Sequence, residues 1–169
     1  KTDESYIQYT TENGLPINIA GDNNVLCVAI DKNGVKWIGS GRGIASFNNT
    51  IWSEYTSANL ERHFGFSNVA VDQNNVKWFT VDSNIIAYND TTFSFFGYDG
   101  ASDVFIDHNN TKWFGVLSYR VLYDNMEWFR YPPEEDFHFR TVVVDLNNRQ
   151  FWGGNSRNGL RIYDGDEFI

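Results

Sequence analysis

Apolar and polar positions alternate along this chain in short runs, and no stretch keeps apolar residues at helical spacing over the roughly ten residues a helix needs. Val28 to Ile30 is a β-branched run without alternation, which predicts a strand covered on both faces (strand a). Asp31-Lys32-Asn33-Gly34 follows, a tight-turn sequence whose Asn-Gly supplies the positive φ angles a hairpin needs. Lys36 to Ser40 then reads as strand b. Strand c ends in an aromatic ring at Ile44 to Phe47, Ile85 to Tyr88, Val121 to Tyr123 and Leu160 to Tyr163, and the turn formers Asn48, Asn89, Asp124 and Asp164 follow. Strand d alternates, as in Ile51 to Tyr55, Phe93 to Phe95 and Trp128 to Tyr131.

These four predicted strands form a unit that recurs. An apolar run, an Asp, a polar turn and an aromatic pair appear at Val28 to Gly39, Val69 to Thr80, Val104 to Gly115 and Val142 to Gly153. In every copy the aromatic lies six residues after the Asp, which pairs Asp31 with Trp37, Asp72 with Trp78, Asp107 with Trp113 and Asp145 with Phe151. The Asp positions are 41, 35 and 38 residues apart, a period that suits a four-stranded unit and is too short for an independent domain. The fold class expected is therefore all-β, a β-propeller of four blades over residues 25–56, 67–97, 103–131 and 141–169, with 6–24 as the outer strand and linker of a preceding blade. A β-solenoid is the alternative, and it would show shorter, more regular rungs. Large aromatics wedge well between twisted sheets, so the repeated Trp is read as blade-to-blade packing and the Asp and aromatic as structural repeat residues. Tyr6 to Tyr9 reads as a d strand and Asp166 to Ile169 as the start of another. Pairing of Tyr6 to Tyr9 beside Gly159 to Tyr163 would close a four-bladed ring; otherwise the blades form an arc of a larger propeller, which the stop in mid-strand favours.

Composition narrows the function. The 6 Trp, 9 Tyr and 14 Phe supply a core, which excludes bulk disorder. A net charge of -9 repels phosphates, and no run approaches the roughly 20 apolar residues of a membrane span, so neither nucleic-acid binding nor a span is expected. Cys27, in an apolar run, has no partner for an internal disulfide, and His63, His108 and His138 lack metal spacing, so no metal or cofactor is expected. The chain begins at Lys1 instead of Met, which reads as loss of an upstream segment.

The apolar run, the Asp with its Asn/Gly turn, the Trp with Ile or Phe and Gly, and the Gly-Ile or Gly-Leu strand ending in an aromatic and Asn or Asp together resemble the two-component regulator propeller repeat. The resemblance runs from about Tyr6 to Ile169 and includes the linker from Tyr9 to Pro16. Thr80 departs from its Gly, Asn84 and Tyr119 from the Gly before strand c, and Phe151 from its Trp. In that family tandem propellers form the extracytoplasmic sensor region of membrane histidine kinases, often in gut bacteria responding to polysaccharide fragments. The resemblance implies a periplasmic or extracellular, non-catalytic recognition module.

Antiparallel strands place the d-a and b-c links on one face, and these links vary between repeats while the a-b and c-d turns repeat. Variation points to function, because packing demands are common to all blades. Arg42, Arg62, His63, Tyr119, Arg120, His138, Arg140 and Arg157 are the candidate contacts for an oligosaccharide or other small ligand. Arginine grips a carboxylate or sulfate bidentately and a Tyr face stacks on a sugar ring, against the plainer reading of solvated loop residues. Two alternatives stay open. One is a structural or interaction propeller that meets a homodimer mate or further blades through open edges. The other is a hydrolase or lyase using Glu134, Glu135 and Asp136, a cluster that also suits a solvated acidic tip.

Overall fold

The computed structural model describes residues 6–16, 24–55, 65–81, 84–117, 119–132, 137–155 and 159–169, and these build four antiparallel sheets and no helix. The first blade holds β1 (Val25–Ile30), β2 (Lys36–Ser40), β3 (Ile44–Phe47) and β4 (Trp52–Tyr55) in that spatial order. The second holds β5 (Phe66–Val71), β6 (Lys77–Val81), β7 (Asn84–Tyr88) and β8 (Phe93–Phe96), and the third β9 (Ala101–Ile106), β10 (Lys112–Val116), β11 (Tyr119–Tyr123) and β12 (Trp128–Arg130). The fourth has three strands, β13 (Thr141–Val144), β14 (Gln150–Gly153) and β15 (Leu160–Tyr163). Its outer edge carries one further bridge, Tyr163 to Phe168, where the start of a d strand was expected.

Turn chemistry explains the meander. The third residue after each Asp adopts a left-handed backbone, at Gly34, Asn75, Asn110 and Asn148, and so does the c-d turn at Asn49, Asp90, Asn125 and Gly165. Each Asp caps its own a-b turn: Asp72 Oδ1 accepts the N–H groups of Asn74 at 2.8 Å and Val76 at 2.9 Å. Its Oδ2 accepts the Trp78 indole N–H at 3.1 Å, and the same indole bond joins Asp31 to Trp37 and Asp107 to Trp113.

Strand alternation gives each blade a forward face, toward the next blade, and a rear face. The core lies between them. Cys27, Trp37 and Ile44 of the first blade meet Val69, Phe79, Ile86 and Tyr88 of the second, and Trp78, Ile85 and Ala87 meet Val104, Phe114 and Val121 of the third. Trp113 and Leu122 then meet Phe137, Phe139, Val142 and Trp152. Two buried lysines cross these joints: Lys77 lies 4.9 Å from the Trp37 ring, and Lys112 lies 5.4 Å from the Trp78 ring and 2.9 Å from Asp72 Oδ2. At the third joint Gln150 stands at the lysine position, and Arg120 of the preceding blade supplies the cation. Its guanidinium lies within 4.4 to 4.6 Å of the Tyr131, Tyr163 and Phe168 rings, and Nη1 donates to Gln150 Oε1 at 3.4 Å.

Two expectations are corrected. Residues 6–9 form no strand; they run as irregular chain, with Tyr9 packed on Phe47 and Trp52 of the first blade instead of beside β15. Strand a is covered on both faces in the inner blades but not in the first, where Val28 and Ile30 are 62% and 63% exposed against 6% for Val69. No substantial strand contact joins the first blade to the fourth among the described residues, whose strands make an open array.

Candidate functional site

The d-a and b-c links of the second, third and fourth blades border two neighbouring, half-open cavities. The first, about 180 Å³, is lined by Ser67, Gly100, Ala101, Ser102, Leu117, His138, Phe139 and Arg140. The second, about 360 Å³, is lined by Gly97, Tyr98, Asp99, Val116, Leu117, Tyr119 and Arg130. Leu117 forms the wall between them. It holds φ at 43°, a left-handed conformation that is costly for a branched side chain, and its carbonyl accepts the Phe139 N–H at 2.7 Å. Gly100 answers it from below: a Cβ there would stand 2.3 Å from Leu117 Cγ. The Ser102 hydroxyl lies 3.0 Å from Arg140 O and 3.2 Å from both Gly115 O and Phe139 O, so it ties the fourth blade's entry link to β9.

The chemistry differs between the two spaces. The smaller presents the imidazole of His138 and the guanidinium of Arg140, both exposed, around a volume that suits one carboxylate, sulfate or hydroxyl group. In the larger, Arg130 lies 3.7 Å over the Tyr119 ring and Tyr98 packs 5.3 Å from Trp128. Burial raises the Tyr98 phenol above its ordinary range, opposed by the charge of Arg130, so it stays a neutral donor at physiological pH. Next in sequence to Ser102, Asp103 joins three blades, accepting from Asn68 Nδ2, Thr141 Oγ1 at 2.6 Å and Val142 N at 2.9 Å.

Of the residues singled out in the sequence, His138, Arg140 and Tyr119 line these cavities. Arg42 is exposed on the first blade's b-c link and lines neither. Arg120 is 5% exposed, enclosed between the third and fourth blades, and does not reach the loop face. Arg62, His63, Arg157 and the Glu134-Glu135-Asp136 cluster lie outside the described residues. Sequence reasoning missed Ser67, Tyr98, Asp99, Leu117 and Arg130 individually. Ser67, Tyr98, Asp99 and Leu117 fall within the variable links read from the sequence at 57–68, 97–103 and 117–120; Arg130 ends a d strand, where nothing in the alternation sets it apart. Among the described residues no group of three or more His, Cys, Asp or Glu side chains is placed to hold a metal ion, and no helix is long and apolar enough to cross a membrane.

Neither a protein-family model nor a curated protein sequence matches the chain. Solved structures do. The extracellular domain assigned to a hybrid two-component system of B. thetaiotaomicron superposes with a TM-score of 0.77 at 16% identity over 95% of this chain and 24% of its own. PorZ, a bacterial surface component of the type-IX secretion system of Porphyromonas gingivalis, gives 0.76 at 16% identity over 100% of this chain and 30% of its own. Virginiamycin B lyase from Staphylococcus aureus gives 0.73 at 13% identity over 90% of this chain and 57% of its own. The chain thus spans between a quarter and three fifths of these proteins. At such identities the likeness is one of fold, and the fold is the β-propeller.

Proposed function

We propose that the chain is a non-catalytic recognition module of a sensor propeller that works outside the cytoplasm and takes an oxygen-rich small ligand, such as a glycan fragment, into its loop face. The observation that carries this reading is the pair of adjoining cavities on the variable face, one presenting His138 and Arg140 and the other an aromatic wall with Tyr98, Tyr119 and Arg130. An anionic or hydroxyl group fits the smaller space and a pyranose ring the larger, in reach of one another across Leu117. The fold shared with an extracellular domain of a two-component system supports the placement and role. A panel of neutral, uronic-acid and sulfated oligosaccharides screened by thermal shift and calorimetry tests it. A ligand that raises Tm in the wild type and loses at least about tenfold in affinity on Arg140→Ala or Tyr119→Ala supports the site. Binding unaffected by either substitution would remove it.

A further inference from the structure

Two of the three joints inside the array share a plan that its two outer faces do not; at the third, Gln150 stands where the lysine would be and Arg120 of the preceding blade reaches it. At the first two joints the following blade's lysine lies over the preceding blade's tryptophan, Lys77 on Trp37 and Lys112 on Trp78. An aromatic from the preceding outer strand also packs on the following rear face, as Tyr55 does on Tyr88 and Phe93, with ring centroids 5.5 Å apart in each pair. On the first blade's own rear face Tyr9 holds the place of Tyr55, 5.2 Å from Phe47 and 5.8 Å from Trp52. The inner half of that face is bare, with Val28 and Ile30 exposed. Lys36 stands in register with Lys77 and Lys112, and its Nζ donates to Gly34 O at 2.9 Å and to Asn49 Oδ1 just as Lys77 donates to Asn75 O and Asp90, but among the described residues it covers no ring.

The fourth blade's forward face is built differently. Phe151 replaces the tryptophan, and Arg149 Nε, from the same turn, donates to Asp145 Oδ2 at 2.8 Å while its guanidinium lies 5.8 Å from the Phe151 ring. Arg149 thus supplies from within the blade the cation that a following blade's lysine supplies at the first two joints.

We propose that the first blade's rear face is a docking surface for a β-blade that presents a Trp ring beside an Asp carboxylate, and that Arg149 and Phe151 bar the fourth blade of a second copy from filling that place. Lys36 brought to the fourth blade would meet the charge of Arg149 and lack an indole to cover. The mismatch matters because a head-to-tail contact between identical chains propagates into filaments unless it happens to close. Docking rests on Lys36 and the Val28/Ile30 strip. The turn amides that reach a preceding blade elsewhere, Asn75 to Lys32 N and Asn110 to Gln73 N, both at 2.8 Å, have no counterpart at Gly34.

Sedimentation velocity on the full chain, over roughly 1 to 100 µM, tests this. The wild type is expected to remain monomeric. Arg149→Val/Phe151→Trp, with its fold checked by circular dichroism, is expected to self-associate at least about tenfold more tightly, and Lys36→Glu added to it to abolish the gain. Gly34→Asn, at a φ of +77° with open space where its Cβ would stand, should strengthen association further. The proposal is overturned if the folded double variant stays as monomeric as the wild type, if its association survives Lys36→Glu, or if the wild type associates through Lys36. Should the double variant not fold, Arg149→Glu reverses the charge alone; a Lys36-dependent gain there supports the proposal, and its absence overturns it.

Discussion

Asp72 is buried, and burial alone would raise its pKa. The ammonium of Lys112, the Val76 N–H and the Trp78 indole outweigh that and hold the carboxyl below the usual range. Asp31 is lowered in the same way, with burial opposed by Trp37, the Val35 and Asn33 N–H groups and the charge of Lys77. Because the folded pKa is depressed, the unfolded chain takes up protons first as pH falls. The stabilisation is therefore complete above the unfolded value of about 3.9 and is lost as pH drops through the folded one. Melting curves across that window should fall steeply for the wild type, whereas Asp72→Asn should lower Tm at neutral pH and flatten the acid limb; an equally steep limb in the variant would remove Asp72 from this role. Trp78→Phe deletes a donor to a buried carboxylate and should cost about 1 to 3 kcal/mol at neutral pH by chemical denaturation. Cys27 offers a simpler check. Burial pushes its thiol up to about 11, against a backbone hydrogen bond from Gly39, so alkylation at neutral pH should require unfolding. At this scale the sequence displayed the Asp and Trp as a pair in three of the four repeats, with Phe151 in the last, but not the lysine that crosses to them from the next blade. Lys36, Lys77 and Lys112 look like ordinary strand-edge cations until the next blade is placed against them.

The strands were legible because their signals are local. Strand b at Lys36–Ser40 and strand c at Ile44–Phe47 fall where the alternation and turn residues place them. What local signals could not supply was the tertiary cover of a strand, hence the expectation that Val28 and Ile30 are buried, or the partner of residues 6–9, which depends on contacts far along the chain. Joints between elements also set tolerances that repetition hides. Gly39 and Gly115 occupy the same repeat position, yet a Cβ on Gly39 would stand 2.8 Å from Phe66 Cβ and 2.5 Å from Cys27 Sγ, while one on Gly115 would meet the Phe139 backbone carbonyl at 3.2 Å. Gly39→Ala should therefore force the first two blades apart and cost about 1 to 3 kcal/mol, as overpacked sites do. In the turns the order reverses. Asn110→Ala, at φ 65°, loses a tolerated left-handed residue together with its bond to Gln73 N and should cost about 1 to 2 kcal/mol, with Asn110→Gly recovering the conformational part. Equal losses for Ala and Gly in urea melts would place the whole effect in the hydrogen bond.

Across the molecule, each blade buries its forward face only against the next, so stability is close to a sum of blades and joints. The period of the repeat made this architecture readable in advance. The site was readable only as a face: His138, Arg140 and Tyr119 reach the cavities, but Arg120 turns inward because its register position faces Gln150 of the next blade. A side chain at a strand start can serve either a loop or a joint, and spacing along one chain does not separate the two. The same logic predicts how the molecule comes apart. Phe114 is fully buried at the central joint, packed with Trp78 and Trp128, whereas Ile30 lies open on the first blade's outer face. Phe114→Ala should cost about 3 to 5 kcal/mol and Ile30→Ala less than about 1 kcal/mol. Loss of the central joint also leaves two pairs of blades, each still holding one intact joint, so the denaturation of Phe114→Ala should broaden or split while that of the wild type stays a single transition. Trp37 and Trp152 sit in different pairs, and fluorine NMR of the chain labelled with 5-fluorotryptophan follows each resonance through the transition and reports the halves separately. Coincident transitions at both probes in Phe114→Ala would mean that the four blades are coupled beyond their nearest neighbours, and the additive picture would fail.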